Sequence, residues 1–202
     1  MYAILDASHA GARTLPSICE TLLVAGVRLI QYRNKAGSSR QLFEDSVALG
    51  RLAHRAGGTF IVNDRTDVAL AAGAHGVHVG QADLPIEMAR GILGSGKIVG
   101  YSTHNLEQVM QADRSTADYI AFGPIFPTAS KERPDPVVGL DGLRRARKAT
   151  RKPLVAIGGI TLERTREVID AGADSVAVIA DLLGAPDLSA RARAFLEILQ
   201  ES

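Results

Sequence analysis

Eight short runs rich in Val, Ile, Leu and Ala recur at near-even intervals along this 202-residue chain. They are Tyr2–Asp6 (YAILD), Arg28–Arg33 (RLIQYR), Thr59–Asp64 (TFIVND) and Gly76–Gly80 (GVHVG). Lys97–Ser102 (KIVGYS), Tyr119–Gly123 (YIAFG), Pro153–Gly159 (PLVAIGG) and Ser175–Ala180 (SVAVIA) complete the series. Each is too short for a helix and apolar enough for a strand covered on both faces. The intervals carry helical periodicity. In SRQLFEDSVALGRLAHRAG, Leu42, Val47, Leu49, Leu52 and Ala53 fall near one stripe, and Gly57-Gly58 marks the stop. Asn105 is placed to cap the helix of NLEQVMQAD, and Gly172 closes TLERTREVIDAGAD.

Strands alternating with helices require parallel pairing, because a crossover of a dozen residues joins each strand to the next. No proline-rich or low-complexity linker interrupts the series. A doubly wound open sheet shares this alternation. Eight units of about 25 residues favour closure, so the chain is read as one (β/α)8 barrel domain over residues 1–202.

Composition narrows the partners. A formal net charge of +1 gives no global field to attract nucleic acid or a membrane, so any anion must be gripped locally. Aromatic residues are only 4% of the chain, too few for a base-stacking platform. Cys19 is the single cysteine, which excludes an internal disulfide and a cysteine-built zinc site. No run approaches the roughly 20 apolar residues of a membrane span, and the first residues lack a signal-peptide pattern. A cytoplasmic location is the expectation. The apolar helical faces can serve as core or as subunit contact, which leaves a homodimer open.

In a (β/α)8 barrel, chemistry sits at the C-terminal ends of the strands. Gln31, Arg33 and Lys35 alternate at the end of the second run; their two cations suit a phosphate or diphosphate, or else one sits in a salt bridge inside the barrel and the other in solvent. Asn63-Asp64-Arg65 ends the third run, and GQADLP after the fourth supplies Asp83. Two carboxylates at adjacent strand ends can share Mg2+, a hard cation that favours oxygen ligands. The plainer alternatives are that Asp64 pairs with Arg65 or caps a helix, and that Asp83 caps the helix near Pro85. Ser102, Thr103 and His104 offer a hydroxyl pair and an imidazole, or helix caps. Gly158-Gly159 permits close backbone approach to a ligand, and Ile179-Ala180 lies where barrels often bind phosphate.

Two motifs are set aside. GILGSGKI resembles a phosphate-binding loop, but Ile98 replaces the required Ser or Thr and a strand follows where a helix should open. His75 and His78 lack metal-ligand company and read as structural.

Taken in order, QYRNK, NDR, GVHVGQADLP, STHN, GPIFPTASK and AIGGI resemble the thiamine phosphate synthase family over about residues 28–181. The resemblance implies a (β/α)8 barrel that joins 4-amino-2-methyl-5-hydroxymethylpyrimidine diphosphate to a thiazole phosphate, giving thiamine phosphate and diphosphate. It implies that Gln31, Arg33, Lys35, Asn63, Ser102 and Lys131 contact the pyrimidine diphosphate, with Lys35, Ser102 and Lys131 in catalytic positions. Asp64 and Asp83 would hold Mg2+, while Thr128, Ser130, Gly159, Ile179 and Ala180 would hold the thiazole phosphate. Three positions depart from the family pattern: Asn34 replaces an acid, Ser130 a threonine, and Ala180 a serine. A related thiazole tautomerase group carries a histidine where this chain has Pro124. A phosphate-ligand binder without catalysis is a rival of a different class, opposed by the intact Lys35, Asp64, Asp83 and Lys131.

Overall fold

The computed structural model describes residues 1–128 and 135–200. Its strands are β1 (Tyr2–Asp6), β2 (Leu29–Arg33), β3 (Thr59–Asn63), β4 (Gly76–Val79), β5 (Ile98–Thr103), β6 (Tyr119–Phe122), β7 (Leu154–Ala156) and β8 (Ser175–Val178). All pair in parallel in sequence order, and β8 returns to β1 to close the barrel. Helices cover its outside: α1 (Leu15–Val24), α2 (Ser39–Arg55), α3 (Thr66–Ala71), α4 (Ile86–Leu93) and α5 (Leu106–Asp113). They continue with α6 (Gly139–Ala149), α7 (Thr165–Asp170), the short α8 (Ala180–Leu183) and α9 (Leu188–Gln200). The expected strands fall within a few residues of those observed. The largest difference is β7, which ends at Ala156 because Gly158 and Gly159 both adopt positive φ.

Strand alternation separates two layers of apolar packing. One face turns outward: Ala3, Leu5, Ile30, Phe60, Val62, Ile120 and Phe122 pack with Leu22, Leu49, Leu143 and Phe195 of the helices. The other face fills the barrel with Tyr2, Ile61, Tyr119, Ala121, Val155 and Ala177. Local signals position the helices as expected. Asn105 accepts from the Gln108 N–H at 2.9 Å, and Gly57 ends α2 at φ 66°. On α2 the fully buried stripe is Leu42, Ser46, Leu49 and Ala53, with Val47 and Leu52 half-buried at its edge.

One glycine is required by the interior. Gly100 registers against Tyr119, and a Cβ on Gly100 would lie 2.0 Å from Cζ of that ring. The phenol occupies the place of the missing side chain. Gly100→Ala is therefore expected to lower the unfolding free energy by about 2–3 kcal/mol, because a packed core has no room to move the ring. Urea denaturation checks this; an unchanged midpoint would mean that the ring relocates freely.

Candidate active site

A cavity of about 370 Å³ opens at the C-terminal ends of the strands. Its wall collects residues from far apart in the chain: Gln31 and Arg33 from β2, Asn63 from β3, Ser102 from β5 and Thr128 after β6. Gly159 follows β7, and Ile179 and Ala180 follow β8, on the same wall. Eight of the residues expected from sequence thus share one space. Ser130 and Lys131 lie outside the described residues. Lys35, Asp64 and Asp83 do not line the cavity and form a separate cluster.

Arg33 sits in a salt bridge inside the barrel, the alternative left open by the sequence, with a partner the sequence did not identify. Asp6 closes β1, registers against Arg33 and accepts from its guanidinium. The Asp6 side chain is almost fully buried, which alone would raise its pKa. Donation from Ser8, whose N–H lies at 2.9 Å and whose hydroxyl at 2.5 Å, together with the Arg33 charge, more than reverses this. Asp6 therefore stays ionised. A charged residue ending an apolar strand was the available signal, the same one that drew notice to Asn63-Asp64.

Lys35 stands two residues past β2, largely exposed, and donates to the Asp64 carboxylate. Asp64 adopts φ 61°, a rare conformation for a residue with a side chain, and its N–H donates to the His78 carbonyl at 2.7 Å. Burial pushes its pKa up, Lys35 pulls it back, and the neighbouring Asp83 carboxylate pushes it up again. Asp83 accepts from the Gly80 N–H at 2.8 Å. Neither plainer alternative holds: Arg65 pairs with Asp67, and the cap position of α4 is Pro85. Two carboxylates crowded at adjacent strand ends, with hard oxygen donors and mutual repulsion, fit a divalent cation. Among the described residues no third His, Cys, Asp or Glu joins them.

At the opposite end, Gly158 and Gly159 serve packing. A Cβ on Gly159 would lie 2.4 Å from the Pro127 carbonyl oxygen, and one on Gly158 2.4 Å from Cβ of Pro124. The loop after β6 is thus pressed onto the glycine pair, with the Phe126 N–H donating to the Gly158 carbonyl at 3.1 Å. Arg164, also unforeseen, lines this end; its guanidinium lies 4.4 Å from the Phe126 ring centre and donates to the Gly159 carbonyl. His104 holds the same loop by its Nδ1 contact to the Gly123 carbonyl at 2.6 Å, with Asp135 3.4 Å from Nε2.

His78, read as structural, is buried and held by hydrogen bonds within the barrel. It lines the cavity, with Nε2 2.8 Å from Ser102 Oγ and Nδ1 2.8 Å from the Tyr119 hydroxyl.

A parallel eight-stranded barrel with a largely apolar cavity carrying a few polar side chains at its C-terminal mouth, and an acidic pair beside it, has the architecture of an enzyme acting on small molecules. The thiamine monophosphate synthase family model matches residues 1–182, and the chain belongs to that family. It is 56% identical to the thiamine-phosphate synthase of Koribacter versatilis, over 98% of this chain and 95% of that one. Identity to the thiamine-phosphate synthase of Chloroflexus aurantiacus is 44%, over 100% and 94% of the two chains. The solved thiamine phosphate pyrophosphorylase from Pyrococcus furiosus superimposes with a TM-score of 0.90 at 35% identity, covering 99% of this chain and 95% of its own. Among the described residues no helix is long and apolar enough to cross a membrane.

Proposed function

We propose that the protein is a thiamine-phosphate synthase: it couples the aminopyrimidine methyl diphosphate to a thiazole phosphate and releases diphosphate. The observation that carries this is family membership over nearly the whole chain, joined to one cavity lined by residues of both expected substrate subsites. Gln31, Arg33, Asn63 and Ser102 take the pyrimidine diphosphate. Thr128, Gly159, Ile179 and Ala180, with Ser130 from outside the described residues, take the thiazole phosphate.

The reaction asks for leaving-group stabilisation. The methylene C–O bond breaks with its electron pair going to diphosphate, and the thiazole nitrogen lone pair then forms the new C–N bond. Arg33, Lys35 and Lys131 are the cations that offset charge on the departing diphosphate, the kind of preorganised electrostatic help that often dominates catalysis. Bound Mg2+, held by Asp64 and Asp83, would add neutralisation of the same oxygens. The apolar lining of Ile4, Ile157 and Ile160 limits water, which would otherwise compete for the cationic carbon. The thiazole phosphate grip holds the nitrogen at attack distance, replacing a bimolecular encounter by proximity. A tautomerase reading lacks its histidine: buried Pro124 lines the wall at that position.

The test is an assay with both substrates and Mg2+, following diphosphate and thiamine phosphate together. Equimolar products that disappear with EDTA and return with Mg2+ are expected. Turnover unchanged in EDTA would remove the metal assignment, and no coupling at all would remove the activity.

A further inference from the structure

A line of hydrogen bonds crosses the barrel interior from one end of the pyrimidine subsite to the other. Gln31 Nε2 donates to the Tyr2 hydroxyl at 2.7 Å, and the Tyr2 and Tyr119 hydroxyls are 2.8 Å apart. Tyr119 continues to His78 Nδ1 at 2.8 Å, and His78 Nε2 to Ser102 Oγ at 2.8 Å. Tyr2 and Tyr119 are buried and meet edge to face, and the Tyr119 ring stacks on His78. Burial raises both phenol pKa values, so each hydroxyl keeps one hydrogen to give.

Counting hydrogens assigns the direction. Tyr2 accepts from Gln31; if it also accepted from Tyr119, its own buried hydrogen would have no use in this line. Tyr2 therefore donates to Tyr119, Tyr119 donates to Nδ1, and the neutral His78 ring donates from Nε2 to Ser102. In the opposite direction Gln31 would be flipped, and Ser102 would spend its hydrogen on His78. That would leave Ser102 only lone pairs toward an anionic diphosphate and turn the Gln31 NH2 outward, whereas the structure places Nε2 on the Tyr2 hydroxyl.

We infer that Tyr2, Tyr119 and His78 are a positioning relay that fixes the hydrogen-bond polarity of the pyrimidine subsite. It leaves the Gln31 carbonyl as an acceptor and the Ser102 hydroxyl as a donor. This rests on the activity proposed above. Tyr119 is the informative member, because it couples Tyr2 to His78 without itself lining the cavity. The space that Gly100 leaves for its phenol lets it reach the barrel centre.

Tyr119→Phe removes one oxygen from the middle of the line. With Mg2+ present, KM for the pyrimidine diphosphate is expected to rise about tenfold, the worth of one misoriented hydrogen bond, while KM for the thiazole phosphate stays unchanged. A variant with both KM values unchanged, or both raised together, would overturn the relay. Independently of turnover, 15N NMR of the free wild-type protein is expected to show His78 neutral, protonated on Nε2 and bare on Nδ1. The Nδ1–H form would reverse the line and overturn the assignment even if Tyr119→Phe does not fold. Absence of coupling by the wild type would instead overturn the activity, and the His78 tautomer would then decide the relay alone.

Discussion

Asp83→Asn is expected to lower coupling turnover by at least about 100-fold, the scale of losing a principal electrostatic stabiliser, while making the metal-free protein more stable. The two effects have one origin. Asp64 is buried beside Asp83, and its pKa is raised by burial and by that neighbour against the pull of Lys35. Asparagine keeps the shape and can still accept from the Gly80 N–H, now at 2.8 Å from Oδ2. It removes only the like charge.

The sign of the pH dependence follows. A carboxyl whose folded pKa lies above its unfolded value makes its full relative contribution to stability below the ordinary value of 3.8. That contribution is lost as pH rises through the raised folded value. The metal-free wild type should therefore gain stability on acidification from neutral pH toward that range, and Asp83→Asn should reduce the response without abolishing it, because burial is the larger cause of the raised pKa. Mg2+ should raise the thermal midpoint of the wild type by mass action and leave the variant nearly unmoved. Thermal melts with and without Mg2+, beside turnover, check all three. Wild-type turnover in the variant, or an equal Mg2+ shift, would remove Asp83 from the metal site.

How much of this was legible before folding follows from the range of each interaction. Strand periodicity and helix caps are local, so the runs from Tyr2–Asp6 to Ser175–Ala180 marked the barrel strands to within a few residues, and Asn105 caps α5 as read. Motif order located the cavity wall at Gln31, Arg33, Asn63, Ser102, Thr128, Gly159, Ile179 and Ala180. What stayed hidden depends on register and on separate strands meeting. Asp6 finds Arg33 only because β1 and β2 pair in that register. Tyr119 meets His78 across 41 residues and Tyr2 across 117. Tyrosine in an apolar run reads as core, and it is core; its hydroxyl acquires a role only when the barrel closes. Gly158-Gly159 shows the converse, since the glycines read as access for a ligand also accommodate the loop after β6.

Arg33→Met is expected to lower the unfolding free energy by about 3 kcal/mol, because it strands a buried carboxylate. Asp6 is 1% exposed, and without the guanidinium its hydrogen-bond donors among the described residues are the Ser8 N–H and hydroxyl, with His9 Nδ1 3.6 Å away. In the wild type the lowered Asp6 pKa gives stability that is present above the ordinary value of 3.8 and lost as pH falls through the folded value. In Arg33→Met this support is weakened, so the stability gap between the two proteins should be widest near neutral pH and should close on acidification below the carboxylate range. Removing both charges tells the structural role from the functional one. Asp6→Asn with Arg33→Met leaves no buried ion, so most of the lost stability should return. Turnover should not return, because the diphosphate has lost a cation at the cavity wall. Urea unfolding at two pH values and the coupling assay read the two roles separately. If the double variant recovers turnover along with stability, Arg33 serves only to neutralise Asp6, and the diphosphate grip must come from Lys35 and the other cations.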